Sequence, residues 1–280
     1  MRHSFDTRDE WVAARKSWIT ATDAAAVCGA DRYRSRYALW AQKLGLADRP
    51  AVGEAAEWGL RLEEPVRRAY AERTGRKVKG FAPYTTFVSK RLEWMAASPD
   101  GTIVPRGLYE GKTCGLMAKS DWSSGPPDKY MFQIQHQMEV MNINWCGIAC
   151  LIGGQQLVHF DVPRDPVFCE NLVNEEFAFL GLLMNRTPPA IDGSDSTAAA
   201  LAQVFSRPTP TRVDLPDHFL SLYRARQDAL AIAAAKEDTA CEVDNAIKAF
   251  MGNNEEAYLP SGERFTWRAD KNGTRRFKAP

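Results

Sequence analysis

Along EAAEWGLRLEEPVRRAYAERT (54–74), Trp58, Leu62, Val66 and Tyr70 recur at four-residue steps, a period that predicts an amphipathic helix stopped by Gly75. Pro65 lacks an amide hydrogen and is expected to kink this helix or begin a second one. Upstream, TRDEWVAARKSW, ATDAAAVCG and SRYALWAQKLG predict three short helices. The second stops at Gly29, and the third has Ser35 as its N-cap and Gly45 just past its end. Met131, Ile134, Met138 and Met141 form the apolar stripe of a helix over about 127–142.

Elsewhere the period shortens. From KVKGFAPYTTFVSKRLEWMAASPDG to LYEGKTC, β-branched and aromatic residues broken by Gly, Pro and Asp predict a run of antiparallel strands. WCGIACLIGGQQLVHFDV predicts an apolar hairpin turning at Gly153-Gly154, followed by a helix over roughly 165–185. NRTPPAIDGSDST (185–197) is rich in turn residues and is the best boundary candidate. Beyond it come the loop SRPTPTRVDLP, an Ala-rich helix over about 217–250, and a β-meander turning at Ser261-Gly262 and Asn272-Gly273. The expected organisation is an α/β core over 1–200 and a smaller mixed appendix over 201–280.

Composition narrows this picture. Lys and Arg number 36 against 35 Asp and Glu, so nucleic-acid binding has to come from a local basic patch. The six cysteines (Cys28, Cys114, Cys146, Cys150, Cys169, Cys241) include no C-x-x-C pair and read as reduced, buried residues. The first residues, MRHSFDTRDEW, hold no apolar leader, and no run of 18 uncharged apolar residues occurs, so a cytoplasmic protein is expected.

The candidate chemistry lies in ASPDGTIVPRGLYEGKTCG (97–115). A hairpin turning around Pro105-Arg106 sets Asp100 opposite Glu110, and directly opposed residues have Cβ atoms roughly 5 Å apart. Glu110 and Lys112 share a face of their strand, with Gly111 turned away. Two facing carboxylates repel unless a cation or a proton lies between them, and hard oxygen ligands suit Mg²⁺ or Mn²⁺. Lys112 can then orient or deprotonate a water, or offset negative charge in a transition state; the alternative is a solvated, salt-bridged hairpin. The 54–74 helix offers a further acid, Glu63 or Glu64. Glu63 borders the apolar stripe, whereas Glu64 stands four before Arg68 and faces outward, which favours Glu63. On the 127–142 helix, Gln133 and Gln137 form one polar row and Gln135 and Glu139 another; solvated faces are expected for Gln137 and Glu139. His136 is expected at the surface or facing DNA, and not as a ligand.

These motifs, in this order, resemble the PD-(D/E)xK nuclease fold and, more narrowly, the YqaJ-like viral recombinase and phage lambda exonuclease family. WVAARKSWITATDAAAVCG, SRYALWAQKLG, WGLRLEEPVRRAYAERTG, SPDG with YEGK, and YMFQIQHQM carry the resemblance over roughly residues 10–190. It implies a restriction-endonuclease-like core, a central mixed sheet flanked by helices. It also implies a Mg²⁺-dependent deoxyribonuclease, with Mn²⁺ able to substitute, that degrades one strand of duplex DNA from its 5′ end for recombination. The implied metal ligands are Asp100, Glu110, Glu63 and the backbone carbonyl beside Glu110, at Gly111 by position. Lys112 is the implied catalytic lysine and Gln133 the glutamine near the site. Arg15 and Thr22, seven residues apart, match the family's grip on a 5′-phosphate, with Thr20 nearby and Gln135 a further DNA-contact candidate. If Thr20 to Asp23 open a helix, its free N–H groups also favour an anion. The implied partners are duplex DNA with 5′-phosphorylated ends, a single-strand annealing protein and further copies of the chain. A structure-specific endonuclease and an inactive DNA-binding recombination module are the alternatives. The segment from Ser196 on departs from the lambda pattern, and its basic residues read as a solvated meander.

Overall fold

The computed structural model describes residues 1–51 and 53–280. They divide into two units, Met1–Pro208 and Thr209–Pro280. In chain order the first unit contains β1 (Arg2–Ser4), α1 (Arg8–Ala14), β2 (Ile19–Thr20), α2 (Ala24–Val27), α3 (Arg36–Lys43) and α4 (Glu54–Thr74). Next come β3 (Val78–Gly80), β4 (Thr85–Val88), β5 (Met95–Ala97), β6 (Gly101–Ile103) and β7 (Gly107–Cys114). The unit closes with α5 (Asp128–Met141), β8 (Trp145–Ile152), β9 (Gln156–Pro163), α6 (Pro166–Met184) and α7 (Asp195–Val204).

The expected run of strands over 78–114 is real but belongs to two sheets. One has the order β3-β6-β7-β8-β9 and the other β1-β4-β5-β2. Pairing of β4 and β5 with the N-terminal strands is a long-range choice that local periodicity does not carry. The five-stranded sheet is mixed, because β7 and β8 run parallel while its other neighbours are antiparallel. Parallel neighbours need a crossover, and α5 supplies it. Leu108 of β7 packs with Ile134 and Met138 of α5. Tyr109 packs with Val66 and Tyr70 of α4. The two helices therefore cover opposite faces of the sheet, as alternation along a strand requires.

Helix α4 runs without interruption through Pro65, against the expectation of a second helix start. Pro65 and Arg61 are both exposed, so water can serve the Arg61 carbonyl that the missing amide would have bonded. Trp58, expected in the apolar stripe, is also exposed, with the Arg61 guanidinium 5.1 Å over its ring. Ser35 caps α3 by accepting from Ala38 N at 3.0 Å, as expected.

The boundary expected at 185–197, or at residue 200, lies within or before α7. That helix packs Ala200, Leu201 and Val204 into the cluster of Tyr37, Leu39 and Trp40. Its Thr197 hydroxyl donates to Ser35 Oγ at 2.7 Å. The division between units comes after Pro208, in the second Pro-rich loop.

The second unit consists of α8 (His218–Met251) and the antiparallel meander β10 (Glu256–Tyr258), β11 (Arg264–Ala269) and β12 (Arg275–Lys278), with positive φ at Gly262 and Gly273. All six cysteines are free; Cys146, Cys150 and Cys169 are buried, whereas Cys241 is exposed. Among the described residues, no helix is long and apolar enough to cross a membrane.

Candidate active site

The β6–β7 hairpin pairs Gly101 with Tyr109, Thr102 with Leu108 and Ile103 with Gly107. Continued by one step, this register sets Asp100 against Glu110. Asp100 lies just outside the ladder, and its Oδ2 accepts from Gly111 N at 2.7 Å. Strand geometry puts the Gly111 carbonyl on the same edge as its N–H. A Cβ at position 111 would come within 3.0 Å of Tyr109 Oη and 3.5 Å of Asp100 Oδ2. Glycine therefore lets the backbone pass close under the carboxylate.

Glu110 is almost completely buried and held from three sides. Its Oε1 accepts from Lys112 Nζ at 2.6 Å and from Gln133 Nε2, and its Oε2 from Gln137 Nε2 at 2.8 Å. Glu63 lines a cavity of about 500 Å³ together with Asp100, Gly111, Lys112 and Tyr130. Glu64 points away and pairs with Arg67 at 3.8 Å and Arg68 at 3.6 Å. The helix-phase choice of Glu63 thus agrees with the geometry. Lys112 Nζ lies 5.0 Å and Lys129 Nζ 4.7 Å from the centre of the Tyr130 ring.

Three carboxylates face one ammonium, and the protonation equilibria reflect it. Desolvation, reinforced by Glu110, raises Asp100 well above the usual carboxylate range. Glu63 keeps one side open to solvent, yet desolvation and then Glu110 raise its pKa as well. Burial works against the Lys112 charge, but Glu110 and Asp100 outweigh burial and raise its pKa, so the ammonium persists.

Among the described residues, no group of three or more His, Cys, Asp or Glu side chains already converges on a point that would hold a metal ion. Asp100, Glu110, Glu63 and the Gly111 carbonyl are nevertheless an all-oxygen donor set with a surplus of negative charge, beside a cradle that any side chain at 111 would fill. That chemistry fits a hard divalent cation.

The expected phosphate-binding residues also come together. Arg15 donates to Thr22 Oγ1 at 2.6 Å and to Thr20 Oγ1 at 3.2 Å. A cavity of about 160 Å³ next to them is lined by Arg15, Arg34, Lys43, Arg49, Thr20 and Asp23. The anticipated helix opening adds little, because α2 has four residues and Asp23 makes no side-chain capping bond. The positive character comes from side chains: desolvation lowers Arg15 to a pKa of about 10, and Arg49 and Arg34 add to the lowering.

Residues 10–144 match the family model described as the YqaJ-like viral recombinase domain. That stretch is therefore similar to the YqaJ-like viral recombinase domain. A curated relative, the uncharacterized protein YqaJ of Bacillus subtilis (strain 168), is 26% identical over 211 residues, 73% of this chain and 66% of that protein. The chain therefore spans just under two thirds of that relative's length. The crystal structure of an alkaline exonuclease (LHK-Exo) from Laribacter hongkongensis is similar with a TM-score of 0.54 at 25% identity, covering 64% of this chain and 93% of that one. LHK-Exo in complex with dAMP gives the same TM-score at 26% identity and the same coverage. The mixed α/β core is thus of the PD-(D/E)xK type found in phage-type exonucleases.

Within the stretch that matches that family model, α5 departs most from expectation. Gln135 is buried, its Nε2 donating to Pro163 O at 3.0 Å and its Oε1 accepting from Asp165 N at 3.0 Å, so it ties α5 to the β9–α6 link and is not free to contact DNA. Gln137 is no solvated residue but a fully buried donor to Glu110. Glu139 pairs with Arg91 and Arg164. His136 is fully buried, between Glu176 Oε1 at 2.7 Å and Ala96 O at 3.0 Å. In the first unit α5 meets β5, β8 and α6 at once, so its polar residues find partners inside. The spacing of Gln137, four after Gln133, was the available signal for it. Asp23, Lys43, Arg34 and Arg49 were missed, and their spacing along the chain carries no signal that they meet.

Proposed function

We propose that this protein is a metal-dependent deoxyribonuclease acting as a 5′-to-3′ exonuclease on double-stranded DNA, making single strands for phage-type recombination in the bacterial or phage-infected cytoplasm. One observation carries the reading: Asp100 and Lys112 share a cavity with Glu63, while Glu110 lies against Lys112 on the same strand. The similarity to an alkaline exonuclease supports it. Asp100, Glu110, Glu63 and the Gly111 carbonyl would hold Mg²⁺, or Mn²⁺ in its place. When bound, the cation would supply Lewis-acid polarisation of the scissile phosphodiester.

The chain's own residues divide the remaining work. Lys112, kept as an ammonium by its carboxylate neighbours, is suited to offset charge growing on the phosphate and not to remove a proton from water. Gln133 and Gln137 fix the Glu110 carboxylate in one orientation through both of its oxygens. Arg15 and Thr22 would hold a 5′-terminal phosphate, with Thr20 beside them as an acceptor from Arg15. A single-strand annealing protein and further copies of the chain are the proposed protein partners.

The test compares linear 5′-phosphorylated duplex with covalently closed circular duplex, with Mg²⁺ and with chelator. Release of nucleotides from the linear substrate alone, and only with metal, is the expected outcome. Cutting of the closed circle would favour a structure-specific endonuclease, and inertness on both would favour a DNA-binding module.

A further inference from the structure

Asp23 is buried in the wall of the cavity that Arg15, Arg34, Lys43 and Thr20 also line, and it bonds directly to three of them. Its Oδ2 accepts from Thr20 N at 3.0 Å, Thr20 Oγ1 at 2.7 Å and Lys43 Nζ at 2.7 Å, and its Oδ1 from Arg34 at 3.0 Å. Burial alone would raise its pKa, but Lys43, Arg34 and Arg15 outweigh burial and hold the carboxyl well below the usual range. It is therefore an anion at neutral pH.

Counting protons shows what this anion does. An ammonium has three N–H donors, and Lys43 spends all of them, on Asp23, on Arg15 O at 3.0 Å and on Trp18 O at 2.5 Å. Lys43 thus braces the backbone that carries Arg15 and gives nothing to a ligand. A threonine hydroxyl has one proton, and Thr20 commits it to Asp23, so toward the pocket Thr20 only accepts, from Arg15. Thr22 Oγ1 also accepts from Arg15, and among the described residues its other hydrogen-bonding neighbour is the Thr20 oxygen at 3.2 Å. Because the Thr20 proton goes to Asp23, the donor in that contact is Thr22, and its proton is the one hydroxyl donor here that an incoming phosphate oxygen can take over. Arg34, the second guanidinium of the pocket, is held between Asp23 and the Thr22 carbonyl.

We propose that Asp23, acting with Lys43 through Thr20, is the positioning residue that makes this pocket selective for a terminal phosphate monoester over a terminal hydroxyl. The inference rests on the reading of Arg15 and Thr22 as the 5′-phosphate grip and adds the element that sets their direction. One negative charge against Arg15, Arg34, Lys43 and Arg49 leaves the pocket positive, as a phosphate dianion requires. The same charge removes the freedom of the hydroxyl and guanidinium donors, so less ordering is left to occur on binding.

The experiment measures kcat/KM with Mg²⁺ on linear duplexes ending in 5′-phosphate or 5′-hydroxyl, for the full chain and for Asp23→Asn, Thr20→Val and Thr20→Ser, with circular dichroism to establish folding. Asp23→Asn and Thr20→Val should lower the phosphate-to-hydroxyl ratio by about tenfold, the worth of a hydrogen bond to a charged group, with the fall carried by KM for the phosphorylated end. Thr20→Ser keeps the hydroxyl and should keep the ratio. If Asp23→Asn does not fold, the Thr20 pair decides the question. A wild-type ratio near one would overturn the pocket reading itself. A high wild-type ratio preserved in both Asp23→Asn and Thr20→Val, or lost equally in Thr20→Ser, would overturn the positioning role and leave the pocket reading intact.

Discussion

Asp23 and Asp100 each sit close to a lysine, yet one carboxyl is held far below the usual range and the other far above it. Desolvation pushes both upward, so the difference lies in the charges around them. Asp23 faces Lys43, Arg34 and Arg15. Asp100 faces Glu110 and Glu63, with Lys112 as the cation in reach. The first aspartate is satisfied by the protein alone, and its neighbourhood retains positive charge for an anion. The second is satisfied by a proton or by a cation from outside. A cluster with surplus positive charge and one with surplus negative charge thus stand in one unit, and each is recognised by what its aspartate lacks.

The largest expected effect tests the carboxylate-rich side. Lys112→Ala should cut hydrolysis of linear duplex by about 10³-fold while DNA binding, followed by fluorescence anisotropy, persists. Retained turnover in the purified variant would remove the lysine from the chemistry and break the contrast.

Asp23→Ala comes next, since taking one partner from a buried charge cluster costs about 3 kcal/mol. Urea unfolding at neutral pH should show this loss. The sign with pH follows from the depressed pKa of Asp23: the unfolded chain binds the proton more readily. The stabilisation is therefore complete above the unfolded value of about 4 and is lost as pH falls through the folded value. The difference between wild type and Asp23→Ala should shrink in acid; a gap that stays constant down to low pH would deny Asp23 its charge.

Asp100 should behave in the opposite sense and more weakly. Its raised pKa means that the folded state binds the proton more readily, so in chelator stability declines as pH rises above about 4. Asp100→Asn should then melt about 3 °C higher than wild type in chelator at pH 8, the equivalent of roughly 1 kcal/mol in a domain of this size. Mg²⁺ at about 100 times its Kd should add about 2.7 kcal/mol to wild type and little to Asp100→Asn. A variant that melts lower in chelator, or gains from Mg²⁺ as wild type does, would contradict the proposed cation site.

The hairpin that carries Asp100, Glu110 and Lys112 was legible because its determinants are local. A turn at Pro105 fixes the register, and alternation along β7 puts Glu110 and Lys112 on one face. Helix α4 and the preference for Glu63 over Glu64 followed in the same way from a four-residue period. The α5 glutamines were half legible: Gln133 was assigned to the site, while Gln135 went to DNA and Gln137 to solvent, and both proved buried. An amphipathic reading equates polar with solvated, which fails for a helix enclosed by two sheets and the helices α2 and α6.

By itself the sequence determined the elements, the hairpin register, the order of the motifs and hence the fold family, all of which depend on spacings of a few residues and on backbone geometry. Only the tertiary structure decided that strands over 78–114 divide between two sheets, that α7 belongs to the first unit, and that Lys43 closes on Asp23 while Glu176 closes on His136. Those outcomes pair groups far apart in the chain. Their energies come from desolvation and charge neutralisation at contact, which no spacing along the sequence encodes.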